Sequence, residues 1–93
     1  MSIAICPGSF NPMTLGHLNI VRRTSHIFDR VIVLIMVNAN KRSPMFTIEE
    51  RVDMARRVVE HLPNVSVETY DGLLAEYAKR FDKAVIVKGL RAN

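Results

Sequence analysis

Seven consecutive apolar residues, Val31-Ile32-Val33-Leu34-Ile35-Met36-Val37, constrain this chain more than any other feature. A half-buried strand would alternate with polar residues, and a surface helix would interrupt the run every third or fourth position. A strand apolar on both sides needs cover on both sides, which sets it in the middle of a parallel sheet flanked by helices. The run is also far too short to span a bilayer.

The remaining segments supply the neighbours such a strand needs. Ser2 to Cys6 is a second apolar run, closed by Pro7-Gly8. Leu18, Val21, Ser25 and Phe28 recur at helical spacing and predict a helix from about Gly16 to Ile27. Thr47-Ile48-Glu49-Glu50 has the form of a capping box, and the helix it opens carries Ile48, Val52, Ala55, Val59 and Leu62 on one stripe, ending at Pro63-Asn64. Val65 to Tyr70 alternates, as a strand with one wetter face near a sheet edge does. After an Asp71-Gly72 turn, Leu73, Leu74, Tyr77, Ala78 and Phe81 mark a short helix, and Ala84 to Val87 reads as a fourth buried strand. Strand–helix alternation throughout predicts an α/β fold with a doubly wound parallel sheet.

Length and composition agree with that expectation. Ninety-three residues allow a single small domain, 1–93. Hydrophobic residues at 48% and charged residues at 24% belong to a globular chain, not a disordered one. The start, Met1-Ser2-Ile3-Ala4-Ile5, lacks the basic residues and long apolar stretch of a signal peptide, so a cytoplasmic protein without membrane attachment is expected. Cys6, the one cysteine, reads as a buried structural thiol. Thirteen basic against nine acidic side chains give +4, which suits anionic small molecules and equally permits non-specific nucleic-acid contact.

In open α/β sheets ligands bind beyond the carboxyl ends of the strands, where the winding reverses. Two strand-end loops are chemically distinctive: Pro7 to His17 and Lys88 to Arg91. In the first, Gly8 permits close backbone approach, Ser9 and Thr14 carry hydroxyls, and Thr14, Gly16 and His17 stand at a helix N-terminus, where amides and dipole favour an anion. The loop is neither a Walker sequence nor G-x-G-x-x-G. Physics alone leaves it either an anion site or a capped turn with an incidental histidine. Lys41, Arg42, Lys88 and Arg91 read equally as solvated charges, and Leu74 as core. His26 and His61 read as surface or helix-end residues.

Taken together, the motifs form a pattern. Gly8-Ser9-Phe10-Asn11-Pro12 followed by Thr14-Leu15-Gly16-His17, then Lys41-Arg42-Ser43-Pro44-Met45-Phe46-Thr47-Ile48-Glu49-Glu50-Arg51, then Lys88-Gly89-Leu90-Arg91, resembles the phosphopantetheine adenylyltransferase family of the nucleotidyltransferase superfamily. The resemblance covers essentially the whole chain. It implies a Rossmann-like nucleotidyltransferase fold with its four strands in the order 3-2-1-4, incomplete at the C-terminus because family members continue well beyond Asn93. It implies adenylyl transfer from ATP to 4′-phosphopantetheine, giving dephospho-coenzyme A and pyrophosphate in coenzyme A biosynthesis, with little activity expected of these 93 residues alone.

Residue by residue, the resemblance implies that His17 and Lys41 are catalytic. Ser9, Phe10, His17, Gly89, Leu90 and Arg91 would contact ATP, while Ser9, Lys41, Leu74 and Lys88 would contact the second substrate. It further implies Mg²⁺ carried on the nucleotide phosphates, coenzyme A as a feedback ligand, and a homohexamer. Asn11 and Asn19 stand where the family commonly has Asp, and Lys88 where many members have Arg; lysine keeps the charge but loses bidentate geometry. The competing expectations are a nucleotidyltransferase with another acceptor, as in cytidylyltransferases or nicotinate mononucleotide adenylyltransferases, and a non-catalytic nucleotide- or nucleic-acid-binding module. Aromatic residues at 6%, not interleaved with basic ones, offer no base-stacking platform, so no nucleic-acid partner is expected.

Overall fold

The computed structural model describes residues 2–8, 10, 14–37 and 47–87. In chain order these form β1 (Ile3–Gly8), α1 (Leu15–Ile27), β2 (Arg30–Val37), α2 (Ile48–Val59), β3 (Val65–Asp71), α3 (Leu74–Ala78) and β4 (Val85–Ile86). All pairings are parallel, in the order β3-β2-β1-β4. This is the doubly wound α/β sheet, with the strand order, that the sequence led us to expect.

The uninterrupted apolar run is β2, and its register explains its composition. Val33 lies between Cys6 of β1 and Val67 of β3. Val31, Val33 and Ile35 face one side, packing with Val21 of α1 and with Ala55 and Val59 of α2. Ile32 and Leu34 face the other, packing with Ile5 and with Tyr77 of α3. All five β2 side chains are fully buried, and each such burial stabilises the fold by about 1.5–3 kcal/mol. Cys6 is buried in the first cluster, and burial pushes its thiol up to about 11.

The predicted face of α1 is the buried one, with Val21 and Ser25 inside and Leu18 and Phe28 packed against the core. Thr24 is buried as well. The two hydroxyls bond back into the helix, Thr24 to the Ile20 carbonyl at 2.7 Å and Ser25 to the Arg22 carbonyl at 2.6 Å, so polar groups on this face lose nothing by leaving water. The Asn64 amide donates to the carbonyls of Ser25 and Phe28, at 2.9 and 3.1 Å, and satisfies the end of the helix. At α2 the anticipated box is present: the Glu50 N–H donates to the Thr47 hydroxyl, and the Thr47 N–H to the Glu50 carboxylate.

Several details differ from the sequence reading, among them the end of α2 at Val59, before Leu62, and of α3 at Ala78, before Phe81. Helix α1 begins at Leu15, one residue early, because Thr14 caps it. The fourth strand pairs only over Val85–Ile86, and Val85 is 51% exposed rather than buried. Among the described residues β4 has β1 as its single strand neighbour, so its other edge is unpaired there. Leu73 sits before α3 rather than on its apolar face and is 67% exposed. Arg51, in the first turn of α2, is buried. His26 and His61 are exposed, as expected, and none of the described helices is long and apolar enough to cross a membrane.

Candidate functional site

The winding reverses between β1 and β4. Successive crossovers step from β1 to β2 to β3, and the next passes back over the sheet to β4 on the far side of β1. The carboxyl ends of β1 and β4 therefore border the switch point. The chain leaving β1 at Gly8 reaches, within a few residues, the start of α1, where His17 stands.

Three side chains build this corner: Phe10, Thr14 and His17. Phe10 is 2% exposed and belongs to the core cluster formed with α1 and α2. Its φ of 46° lies in the left-handed region, which costs a residue with a Cβ of order 1–3 kcal/mol and persists only where packing holds it. Gly8 makes room for it, since a Cβ there would lie 3.1 Å from Cε2 of the Phe10 ring. The expected close backbone approach at Gly8 is thus an approach by Phe10. The ring meets the His17 imidazole edge-on, with centroids 4.9 Å apart and planes at 70°.

Thr14 is the N-cap of α1 and His17 its third helical residue. The His17 N–H donates to the Thr14 hydroxyl oxygen at 3.3 Å, and the Thr14 N–H donates to Nδ1 of His17 at 3.0 Å. This is a capping box with an imidazole where glutamate or glutamine is usual. The Thr14 hydroxyl, read from the sequence as a ligand donor, is engaged within the helix start. The helix amides left without intrahelical acceptors are those of Leu15 and Gly16. The imidazole is half-buried, and burial lowers its pKa from the ordinary 6.5. Among the described residues, Nε2 has no hydrogen-bond partner. A neutral ring that accepts at Nδ1 and offers N–H at Nε2 can donate to an anionic oxygen.

Leu74 opens α3, just after the carboxyl end of β3, so it lies at the same rim as His17 but on the opposite face of the sheet. Two strand spacings, about 10 Å, separate β1 from β3. Leu74 is half-buried against the cluster of Ile5, Ile32, Leu34 and Tyr77, so it serves the core whatever else it touches. Ser9, Lys41, Lys88, Gly89, Leu90 and Arg91 lie outside the described residues. Sequence reasoning missed the positions of Phe10 and Arg51 and the Glu68–Tyr77 pair, in which the buried phenol donates to the carboxylate. Desolvation, and next the Glu68 hydrogen bond, raise the phenol's pKa.

A groove of about 340 Å³ runs between α2 and β3. Among the described residues, Glu49, Asp53 and Glu68 line it with Arg56, a charge balance unsuited to phosphate ligands, and neither Phe10, His17 nor Leu74 borders it.

Comparison with known proteins follows this geometry. The phosphopantetheine adenylyltransferase of Symbiobacterium thermophilum is 52% identical over 88 residues, 95% of this chain and 54% of that protein. The phosphopantetheine adenylyltransferase of Caldanaerobacter subterraneus subsp. tengcongensis is 47% identical over 91 residues, covering 98% and 56% of the two chains. That of Clostridium kluyveri is 53% identical over 92 residues, covering 99% and 56%. The chain thus spans about half the length of the curated relatives it matches. The family model described as cytidylyltransferase-like matches residues 5–92, from the middle of β1 past the end of β4. With that match over nearly its whole length, the chain belongs to the cytidylyltransferase-like family.

Proposed function

We propose that the protein containing this chain transfers the adenylyl group of ATP to 4′-phosphopantetheine, giving dephospho-coenzyme A and pyrophosphate. One observation carries the reading: an imidazole whose Nε2 has no partner among the described residues stands near the switch point of a chain 47–53% identical to three phosphopantetheine adenylyltransferases.

The chemistry asks little of a general base. A phosphate monoester is already anionic at neutral pH and can attack the α-phosphorus directly. Its oxygen forms the new bond as the bond from the α-phosphorus to the bridging oxygen breaks, and pyrophosphate leaves with that electron pair. The obstacle is bringing two anions together, so rate comes from alignment and from donors aimed at the oxygens where charge grows. His17 fills that role through Nε2–H, and Lys41 supplies positive charge to the same phosphates. Ser9 and the Phe10 backbone, with Gly89, Leu90 and Arg91, hold ATP. Ser9, Leu74 and Lys88 hold phosphopantetheine. Imidazole and hydroxyl are poor ligands for a hard cation, which prefers carboxylate and phosphate oxygens. Mg²⁺ would therefore be held by the phosphate oxygens of the nucleotide rather than by these side chains, and would supply charge neutralisation there. We assign the protein to the cytoplasm as a homohexamer, with coenzyme A as a feedback ligand and small molecules, not nucleic acid, as its partners.

The test is pyrophosphate release by the full-length protein with ATP and 4′-phosphopantetheine. Saturable turnover that falls away with CTP, or with nicotinate mononucleotide as acceptor, supports the assignment. Preference for either of those would replace it with another transferase of the same family.

A further inference from the structure

We propose that Tyr77 is a positioning residue: through its hydrogen bond to Glu68 it pins the short helix α3 to the sheet and so fixes where Leu74 stands at the carboxyl rim, which sets the affinity for phosphopantetheine and not for ATP. The pinning stands on contacts between described side chains. The meeting of Leu74 with phosphopantetheine rests on the function proposed above.

Helix α3 cannot hold itself in place. It has five residues, Leu74–Ala78, far fewer than the roughly 12–15 that an isolated helix needs to persist in water. Its N-cap is Leu73, which has no oxygen to offer the first turn. Stability must therefore come from the sheet beneath. Leu74 and Tyr77 stand three residues apart and share one face of the helix. Both pack in the cluster with Ile5, Ile32 and Leu34, so a shift of one carries the other with it.

Tyr77 supplies the anchor. It is 1% exposed, and its phenol donates to the carboxylate of Glu68 on β3. The ring lies between Tyr70, at a centroid distance of 5.3 Å, and Phe81, at 5.7 Å. The Arg80 guanidinium covers the Tyr70 and Tyr77 rings together. Apolar packing is non-directional and would let a helix this short slide along the strand. The phenol–carboxylate bond does not, because a displaced helix leaves a buried donor and a half-buried acceptor unpaired. One polar contact thus sets the register of α3 on β3.

The turn that delivers Leu74 is held by the same group of residues. Gly72 has a φ of 153°, and a Cβ there would lie 3.0 Å from Cε2 of Tyr70 and 3.2 Å from a carboxylate oxygen of Glu76. The Tyr70 hydroxyl donates to that same Glu76 oxygen at 3.4 Å. The end of β3, the turn and α3 therefore form one braced unit with Leu74 in its middle. The unit packs on the face of the sheet opposite Phe10 and His17. Loosening it reaches the acceptor and spares the nucleotide.

Steady-state kinetics and leucine-methyl spectra of the full-length protein test this. Tyr77→Phe keeps the ring and removes the phenol. It should raise KM for phosphopantetheine roughly three- to tenfold, the equilibrium equivalent of one ordinary hydrogen bond, and leave kcat and the KM for ATP unchanged. Glu68→Gln, whose amide oxygen still accepts from the phenol, should stay near wild type, while Glu68→Leu should match Tyr77→Phe. Leu74→Ala should raise the same KM, and adding Tyr77→Phe to it should raise it no further, because the two act in series. An unchanged KM in Tyr77→Phe, an equal rise in the KM for ATP, or additive effects with Leu74→Ala each overturn the positioning role. The spectra read the pinning without any substrate: in Tyr77→Phe the Leu74 methyl signals should move while those of Leu18, on the other face, stay. Unmoved Leu74 signals overturn the proposal whatever the protein acts on. Moved signals in a protein that does not use phosphopantetheine sink the adenylyl-transfer reading and leave the pinning of α3 intact.

Discussion

The Phe10 ring stands at 70° to the His17 imidazole with its centroid 4.9 Å away, while its own backbone turns at a φ of 46°. One buried aromatic thus packs into the core and braces the histidine beside it. Phe10→Ala should destabilise the protein by about 3–5 kcal/mol, the range for emptying a buried aromatic site. Urea unfolding of the variant measures this. Its imidazole resonances should also broaden or shift, because the wall is gone.

His17→Gln separates scaffold from chemistry. Glutamine is a normal third residue of a capping box, so α1 should keep its start and the unfolding midpoint should hold within about 0.5 kcal/mol, as changes that preserve local contacts do. The ring donor is lost. Pyrophosphate release should fall by on the order of 10²–10³, the typical effect of removing one donor to a developing oxyanion.

Acidification should weaken the fold through the same side chain. Burial holds the folded-state pKa of His17 below 6.5, so the unfolded chain takes up the proton more readily. The contribution is fully present above 6.5 and is lost as pH falls toward the folded value. In the His17→Gln variant this part of the pH dependence should vanish. Asp29, whose carboxylate accepts from the Ser2 backbone and hydroxyl, is also shifted down. It acts below its ordinary 3.8, so the two windows separate in urea titrations at pH 7.5, 5.5 and 3.5.

Tyr77→Phe should cost about 1–3 kcal/mol, since the ring remains but a half-buried carboxylate loses its donor. The Arg80 guanidinium, 4.7 Å from the Tyr77 ring centroid and 5.2 Å from that of Tyr70, should keep its stacked position over phenylalanine. Thermal unfolding of Tyr77→Phe beside Glu68→Gln tests the pair, because glutamine can still accept from the phenol.

The elements were legible because each carries a period. The unbroken Val31–Val37 run could only be an interior strand, and the stripes of α1 and α2 showed which faces turn inward. Val85 was misjudged because an apolar letter records what a side chain prefers, not whether anything covers it. The candidate site was readable in the sequence only as residue types along two loops, and loops have no period to reveal burial or backbone hand. Nothing in Gly8-Ser9-Phe10 announces that Phe10 turns left-handed into the core. The box at α1 escaped notice because the usual rule looks for a carboxylate or amide at the third position. A histidine three residues after a threonine, at the head of an amphipathic stretch, was the available signal.

The sheet's winding also bears on when its working edge comes together. Neighbouring β1, β2 and β3 are joined by local crossovers, whereas β4 must find β1 from far along the chain and, among the described residues, meets it at two residue pairs, Ala4 with Val85 and Ile5 with Ile86. Closing so large a loop for so few contacts is the entropically dearest step, which makes β4 the last strand to dock and the first to fray. The half of the rim organised around His17 can thus consolidate with the nucleus of the fold before β4 docks.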